Sequence, residues 1–245
     1  MSNPIFNQIN NLYAQDNYMS AKPVTVSGVI NKSLILFALV LAGCFIQWEL
    51  ILKNYSELFS LLTIGGSFGY FICALVGSFV PQTRNLLLPL GAFLEGFAVG
   101  GISIFLNRAY PGIVTQAILS TFCVFFIMLV LYQTKIIKAT EKFMAVISIS
   151  TLSVLVIYLL HFILSFFNLG LVSLFSSSNI GIGFSIFVII VAALNFVMDF
   201  TYIEKAQNLM VDKSYELYLA FGLMATFIWV YMEILRLLAK LNPRR

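Results

Sequence analysis

The sequence contains few charged residues. Aspartate, glutamate, lysine and arginine make up 10% of its 245 residues, whereas a soluble domain averages about 25%. A soluble globular domain is therefore excluded. The net charge of +4 is small, and the basic residues fall in short loops, where they set membrane orientation, so nothing indicates nucleic-acid binding.

Residues that carry metal and redox chemistry are also scarce. His161 is the one histidine, and the three cysteines, Cys44, Cys73 and Cys123, lie inside apolar runs without metal-ligand spacing. They predict neither a zinc site nor a disulfide framework. No nucleophile–base pair, phosphate-binding loop or dinucleotide fingerprint is present. A single aspartate inside an apolar run also disfavours intramembrane proteolysis by paired aspartates. We therefore expect no enzyme and no cofactor.

Long apolar runs are abundant instead, since 60% of the residues are hydrophobic. Seven stretches are long enough for membrane-spanning helices, which need roughly 20 apolar residues. Barrel strands are shorter and alternate apolar with polar residues, so the predicted fold class is an all-α polytopic membrane protein with seven transmembrane helices. The predicted spans run approximately over Ser33–Leu52, Leu58–Val80, Leu86–Leu106, Ile113–Tyr132, Met144–Phe167, Ile180–Phe200 and Leu217–Leu238.

Three segments follow from this pattern. Residues 1–32 form a polar N-terminal arm, residues 33–238 the seven-helix domain, and residues 239–245 a basic tail. Eight basic residues lie on the N-terminal side and six on the other, four of these at the extreme C-terminus. This distribution favours a cytoplasmic N-terminus and a C-terminus on the opposite side, unless the seventh segment re-enters. No cleaved signal peptide is expected.

Small residues recur every four positions in two of the spans. Gly65, Gly69, Cys73 and Gly77 form such a ladder in the second span, and Gly96 and Gly100 form a shorter one in the third. Small residues at this spacing let two helix backbones approach closely. We therefore expect tight packing of the second and third spans against neighbouring helices.

An acidic residue, Asp199, lies near the end of the sixth run, with Asn195 one helical turn earlier on the same face. A carboxylate near membrane depth costs roughly 2.5–3.5 kcal/mol, and such residues are usually functional. Asp199 is therefore a candidate titrating gate or ion-pathway residue. The alternative is an interfacial acid that reaches headgroup water.

Two further acids lie inside the runs. Glu233 shares a helical stripe with Thr226 and Arg236, so it is either a functional acid or the partner of Arg236 in an ion pair. Glu95 lies near the middle of the third run and has no basic partner there. It is either an interhelical hydrogen-bonding residue or an ion ligand.

Several motifs form a family pattern when they are taken together. They are VSGVINKSL (26–34), AFLEGFAVG (92–100), FCVFFIMLVLY (122–132), NFVMDFTYIEKA (195–206) and ILRLL (234–238). Together they resemble the Bax inhibitor-1 (TMBIM) family, specifically its bacterial YccA-like relatives. The first motif resembles a Bax-inhibitor-like bacterial subgroup.

The resemblance implies six helices wrapped around a central seventh, in a bacterial inner membrane. It also implies two carboxylates, at the end of the sixth span and in the seventh, that share a proton and gate a calcium leak with pH. Asp199 matches the first and is the candidate calcium ligand. The second position falls near Thr226, which cannot ionise, so Glu233 and Glu95 are the candidate partners.

Three functions are compatible with these observations. The first is a pH-sensitive calcium leak centred on Asp199, with the lipid bilayer, Ca²⁺ and H⁺ as its partners. The second, implied by some bacterial relatives, is a regulatory protein that acts on a membrane-anchored ATP-dependent protease through the N-terminal arm. The third is a secondary transporter, although no inverted repeat is evident.

Overall fold

The computed structural model describes residues 22–167 and 172–242, and its long elements are seven helices. All seven are long and apolar enough to cross a membrane, which confirms the predicted fold class. The helices are α1 (Val26–Leu52), α2 (Ser56–Phe79), α3 (Arg84–Ala109), α4 (Ile113–Gln133), α5 (Glu141–Ser165), α6 (Asn179–Asn208) and α7 (Tyr215–Leu241). A 3₁₀ turn at Pro81–Thr83 precedes α3, and a four-residue helical turn at Val172–Phe175 precedes α6.

Two helix ends differ from the predicted spans. α1 begins at Val26 rather than Ser33, because the side chain of Thr25 caps the helix by accepting a hydrogen bond from the Gly28 amide. Residues 26–32 of the predicted arm are thus helical, and residues 1–21 lie outside the described ranges. α6 continues to Asn208, so Asp199 lies inside the helix rather than at its end.

Consecutive helices cross in alternating directions, so the connections gather at two ends of the bundle. We call the end at which α1 begins the N-terminal face; it also carries the α2–α3, α4–α5 and α6–α7 connections. Here residues 22–24 pair with the α6–α7 connection: Val24 N donates to Val211 O at 2.8 Å, and Lys213 N donates to Lys22 O at 3.0 Å. These bonds fix the start of α1 beside the start of α7.

The seventh helix is the most buried of the seven. Each of the other six contributes a side chain that contacts it, as the resemblance implied. These contacts are Lys32–Glu216, Tyr70–Phe221, Ser103–Tyr231, Phe122–Phe227, Tyr158–Glu233 and Ser185–Lys240, in the order α1 to α6.

Glycines hold α3 closely between α1 and α2. A Cβ atom added to Gly43 of α1 would lie 2.5 Å from the carbonyl oxygen of Phe93, and one added to Gly66 of α2 would lie 2.7 Å from that of Leu94. The prediction of close packing is therefore confirmed. The predicted ladder is wrong at Gly65, which faces open space; Gly66 makes the contact instead.

Candidate functional site

Asp199 lines a cavity between α6, α7 and the end of α2. The cavity has a volume of about 210 Å³ and lies towards the N-terminal face, because α6 is near its end and α7 near its start at this level. Its lining consists mainly of hydroxyl-bearing and small or apolar side chains. They are Ser78, Asp199, Tyr202, Tyr218, Leu219, Phe221, Gly222 and Ala225.

The two oxygens of the Asp199 carboxyl group have different surroundings. A Cβ atom added to Gly222 would lie 4.0 Å from Oδ1, so the absence of a side chain there leaves space at the carboxyl group. Thr226, on the same face of α7, lies near enough to Asp199 to interact with its carboxyl group. Oδ2 is buried without a hydrogen-bond partner. A buried oxygen of this kind is costly, so the carboxyl group is available to a proton or a cation that enters the cavity.

Arg84, at the start of α3, lies beside this cavity and links α3 to the end of α2 and to α7. Its Nε donates to Gly77 O at 3.2 Å and its Nη2 to Ser78 O at 3.3 Å. The guanidinium lies 4.6 Å from the ring centroid of Tyr218, a cation–π distance. From the sequence, Arg84 was one of the basic residues assigned to the loops. Its burial was not predicted, because a residue that follows a proline-containing turn is usually exposed.

Asn195 connects α6 to α5 one turn away from Asp199. Its Nδ2 donates to Thr151 Oγ1 at 2.9 Å and to Val191 O at 2.8 Å. Thr151 lies in a serine- and threonine-rich stretch of α5 (148–153). The two residues place a polar layer between α5 and α6, further from the N-terminal face than Asp199.

Glu233 forms a separate cluster on α7. It is buried, and its Oε1 accepts hydrogen bonds from Tyr158 Oη and Arg236 Nη1, both at 2.8 Å. Arg236 Nη1 also donates to Tyr158 Oη at 2.7 Å. The ion pair that the sequence left open is therefore present. Glu233 lies seven residues, or about 10 Å along the helix, from Thr226, and it does not line the Asp199 cavity.

Lys240 is buried beyond this cluster, although the sequence assigned it to a basic tail. Its Nζ donates to Gly181 O at 2.9 Å, to Ser185 Oγ at 2.8 Å and to Leu174 O at 3.2 Å. An ammonium group has three donors, so the group is fully satisfied. It fixes the end of α7 to the start of α6.

Glu95 lies in a third environment, on α3. It is half-buried and within electrostatic reach of Cys44 on α1 and Tyr70 on α2. Within residues 22–167 and 172–242 it has neither a hydrogen bond nor an ion pair. The structure thus brings Asp199 together with Thr226, places Asn195 one turn away in contact with α5, and places Glu233 and Glu95 elsewhere.

The carboxylates do not assemble into a metal centre. Across the described parts of the chain, no three histidine, cysteine, aspartate or glutamate residues lie close enough to share a metal ion. Calcium takes six to eight oxygen ligands, which one carboxyl group and a few hydroxyl groups do not supply.

A family model described as "Bax inhibitor 1 like" matches residues 3–243 of the chain. The match extends over all seven helices and over every residue of the Asp199 cavity. A search of curated proteins gives no match.

Proposed function

Because this chain belongs to the Bax inhibitor 1 like family, we propose that it is a pH-sensitive calcium leak whose gate is the carboxyl group of Asp199. One observation carries the proposal. Asp199 Oδ2 is buried without a partner beside a cavity of about 210 Å³. Ionisable residues at membrane depth typically mark ion or proton pathways.

Aromatic side chains fill one side of the α6–α7 contact, so we place the proposed ion path on the other side. Phe125, Phe196, Phe200 and Phe227 form a cluster with ring centroids 5.2–6.2 Å apart. These rings fill the contact of α4 with α6 and α7. Each of the two phenylalanines on α6 comes directly after a polar residue. Because successive residues of an α-helix lie about 100° apart around its axis, these polar side chains point to a different side from the rings.

The polar side chains follow the seam between α5, α6 and α7. Asp199 and Thr226 form the layer nearest the N-terminal face, and Asn195 with Thr151 forms the next. Tyr158 and Glu233 form the third, about 10 Å along α7 from Thr226. A cation that leaves the Asp199 cavity along this seam meets oxygen-bearing groups at each level, and we propose the seam as its path.

The switch uses one carboxyl group rather than two. The titratable and charged groups beside Asp199 are Tyr202, Tyr218 and, behind Tyr218, Arg84. With its proton bound, Asp199 is neutral and compatible with close α6–α7 packing. When the proton leaves, the uncompensated charge in a low-dielectric site attracts water and cations and weakens that packing. Calcium, which prefers oxygen ligands, then enters.

The decisive experiment measures calcium flux with the purified protein in liposomes that contain a calcium dye. We expect the wild-type flux to rise from acidic to neutral pH and to become independent of pH in Asp199→Asn. Glu57→Gln, which removes an exposed acid at the start of α2, is the matched control and should behave as wild type. A flux that neither pH nor Asp199→Asn alters would refute the gate.

The proposed setting is a bacterial inner membrane with the N-terminal face in the cytoplasm. The excess of basic residues on that side supports this orientation. Single cysteines introduced at Lys213 and Lys53, in a variant without native cysteines, should react with a membrane-impermeant thiol reagent from opposite sides of intact cells. Labelling of Lys213→Cys from outside would reverse the assignment.

A second candidate function is regulation of a membrane-anchored ATP-dependent protease through the N-terminal arm. Support comes from the backbone bonds that tie residues 22–24 to the α6–α7 connection, because they make the arm emerge beside the Asp199 cavity. Deletion of residues 1–21 should abolish co-purification with such a protease and leave calcium flux intact. Unchanged co-purification would reject this role.

A further inference from the structure

A second cavity lies at the N-terminal face, between the end of α4, the α4–α5 connection and the last turns of α6. Its volume is about 440 Å³, and it shares no lining residue with the Asp199 cavity. The lining combines apolar surface with polar side chains, two of which are lysines. It comprises Tyr132, Gln133, Lys135, Ile137, Lys138, Ala139, Thr201 and Glu204.

The charged groups of this cavity leave a positive excess. Lys135 and Lys138 have no ion pair with any carboxylate in the described ranges, and Gln133 has no hydrogen-bond partner for its amide there. The one acid, Glu204, already accepts a hydrogen bond from the hydroxyl of Tyr132. Two ammonium groups and an amide donor are thus available to bind an anion, and the single carboxylate of the cavity is already hydrogen-bonded.

The backbone at Lys135 allows the charge of this side chain to be removed without new strain. Lys135 follows the C-cap residue of α4 and has φ = 56°, in the left-handed region. Glycine is the usual residue at such a position because a Cβ atom is unfavourable there. Lys135→Gly is therefore expected to remove the ammonium group and to relax the backbone at the same time.

The connection also lies where lipid headgroups are found. It joins two membrane-spanning helices over a few residues, so it lies at the bilayer surface. Ile136, next to Lys135, is 70% exposed. An exposed apolar side chain flanked by lysines suits the boundary between acyl chains and headgroups.

We propose that this cavity binds the phosphate group of an anionic phospholipid in the leaflet at the N-terminal face. Lysine ammonium groups bind phosphate as point charges, and the Gln133 amide supplies a further donor. Basic pockets between membrane helices are known to take anionic headgroups. A free phosphate ion offers the same chemistry, so the test must separate the two sources.

The test uses the full-length protein in phosphatidylcholine nanodiscs with or without phosphatidylglycerol. Native mass spectrometry counts retained lipid, and thermal unfolding measures its effect on stability. Wild type should retain phosphatidylglycerol and unfold at higher temperature in its presence. Lys135→Gly and Lys138→Gln should each weaken retention by about fivefold. Lys213→Gln, on the same face but outside the cavity, is the matched control and should retain lipid as wild type does.

Lys135→Gly separates binding from folding, because glycine relieves the strained backbone while it removes the charge. Retention of lipid by Lys135→Gly at the wild-type level would overturn the proposal, as would equal losses in Lys213→Gln. In a third arm, inorganic phosphate is added to phosphatidylcholine nanodiscs. If inorganic phosphate stabilises the protein as much as phosphatidylglycerol does, the cavity binds a free phosphate ion and the proposal of a phospholipid is overturned.

Discussion

Three buried carboxyl groups of the bundle differ in their partners. Glu216 lies against Lys32, with 3.2 Å between Nζ and Oε2, and accepts hydrogen bonds from the amide and hydroxyl of Thr25 at 3.1 and 3.0 Å. Glu233 is paired with Arg236. Asp199 has no basic partner in the described residues. The first two acids therefore hold helices together through ion pairs, and of these three only Asp199 lacks a basic partner there.

Removal of the cation that pairs with Glu216 should destabilise the fold. Loss of one partner from a fully buried pair costs 3–5 kcal/mol, but Lys32 is 31% exposed, so we expect Lys32→Met to cost about 2 kcal/mol. Thermal unfolding in detergent measures this. Lys53→Met, which breaks the exposed pair with Glu49, should cost less than about 1 kcal/mol. Equal losses in the two variants would contradict the structural role.

A methyl group at Gly28 should also disturb the Glu216 site. A Cβ atom there would collide with the Glu216 carboxylate, and overpacking of this kind costs about 1–3 kcal/mol. Gly183→Ala in α6 is the matched control, because nothing lies within 4 Å of its Cβ position. It should gain up to about 1 kcal/mol of helix stability. Chemical denaturation of both variants checks the opposite signs.

The sequence predicted some of these residues and not others. Asp199 and Asn195 were found because a carboxyl group inside an apolar run is conspicuous and four residues make one turn. Glu216 was missed because it lies at the start of the seventh run, where an acid looks solvated. Its burial depends on Gly28 and Lys32, which are distant in sequence and reach it only in the folded bundle.

Whole helices were more predictable than their contacts. Runs of about 20 apolar residues located all seven, and the main errors came from local capping at Thr25 and from the polar end of α6, which continues helically to Asn208. Most packing partners were not predictable, because helical periodicity does not say which neighbour a face meets. The Asp199–Thr226 contact between α6 and α7 is an exception, because the family resemblance placed the second acid position near Thr226.

A second carboxyl group at Thr226 should convert the contact into a coupled pair. In Thr226→Asp two acids would lie within reach of each other and share a proton, since both cannot ionise cheaply. If the protein is the calcium leak proposed above, the midpoint of its pH dependence should then move to higher pH. Thr226→Val, which removes the hydroxyl without adding an acid, should leave the direction of the pH dependence unchanged. Equal pH dependence of calcium flux for the two variants in liposomes would show that Thr226 is not part of the proposed gate.

At the scale of the whole molecule, α7 divides the bundle into unlike halves. One side of the α6–α7 contact is filled by the aromatic cluster of Phe125, Phe196, Phe200 and Phe227. The other side carries the polar layers of the α5–α6–α7 seam. The sequence could not reveal this division, because the aromatic and polar residues alternate along the same helices. The cation route that we propose therefore follows the seam rather than the aromatic side.

Substitution of one hydroxyl-bearing residue in the seam should show whether ions pass along the polar side of the α6–α7 contact rather than along its aromatic side. Thr151→Val keeps the side-chain volume and removes the oxygen that accepts from Asn195 at 2.9 Å. Loss of one polar group from the path should lower calcium flux about tenfold, since about 1.4 kcal/mol is within the range for one missing hydrogen bond. Thr121→Val on α4 is the matched control. Thr121 is fully buried and donates only to Ala117 O of its own helix. Its flux should stay near wild type, and an equal fall in both variants would show that flux tracks general packing rather than passage along the seam.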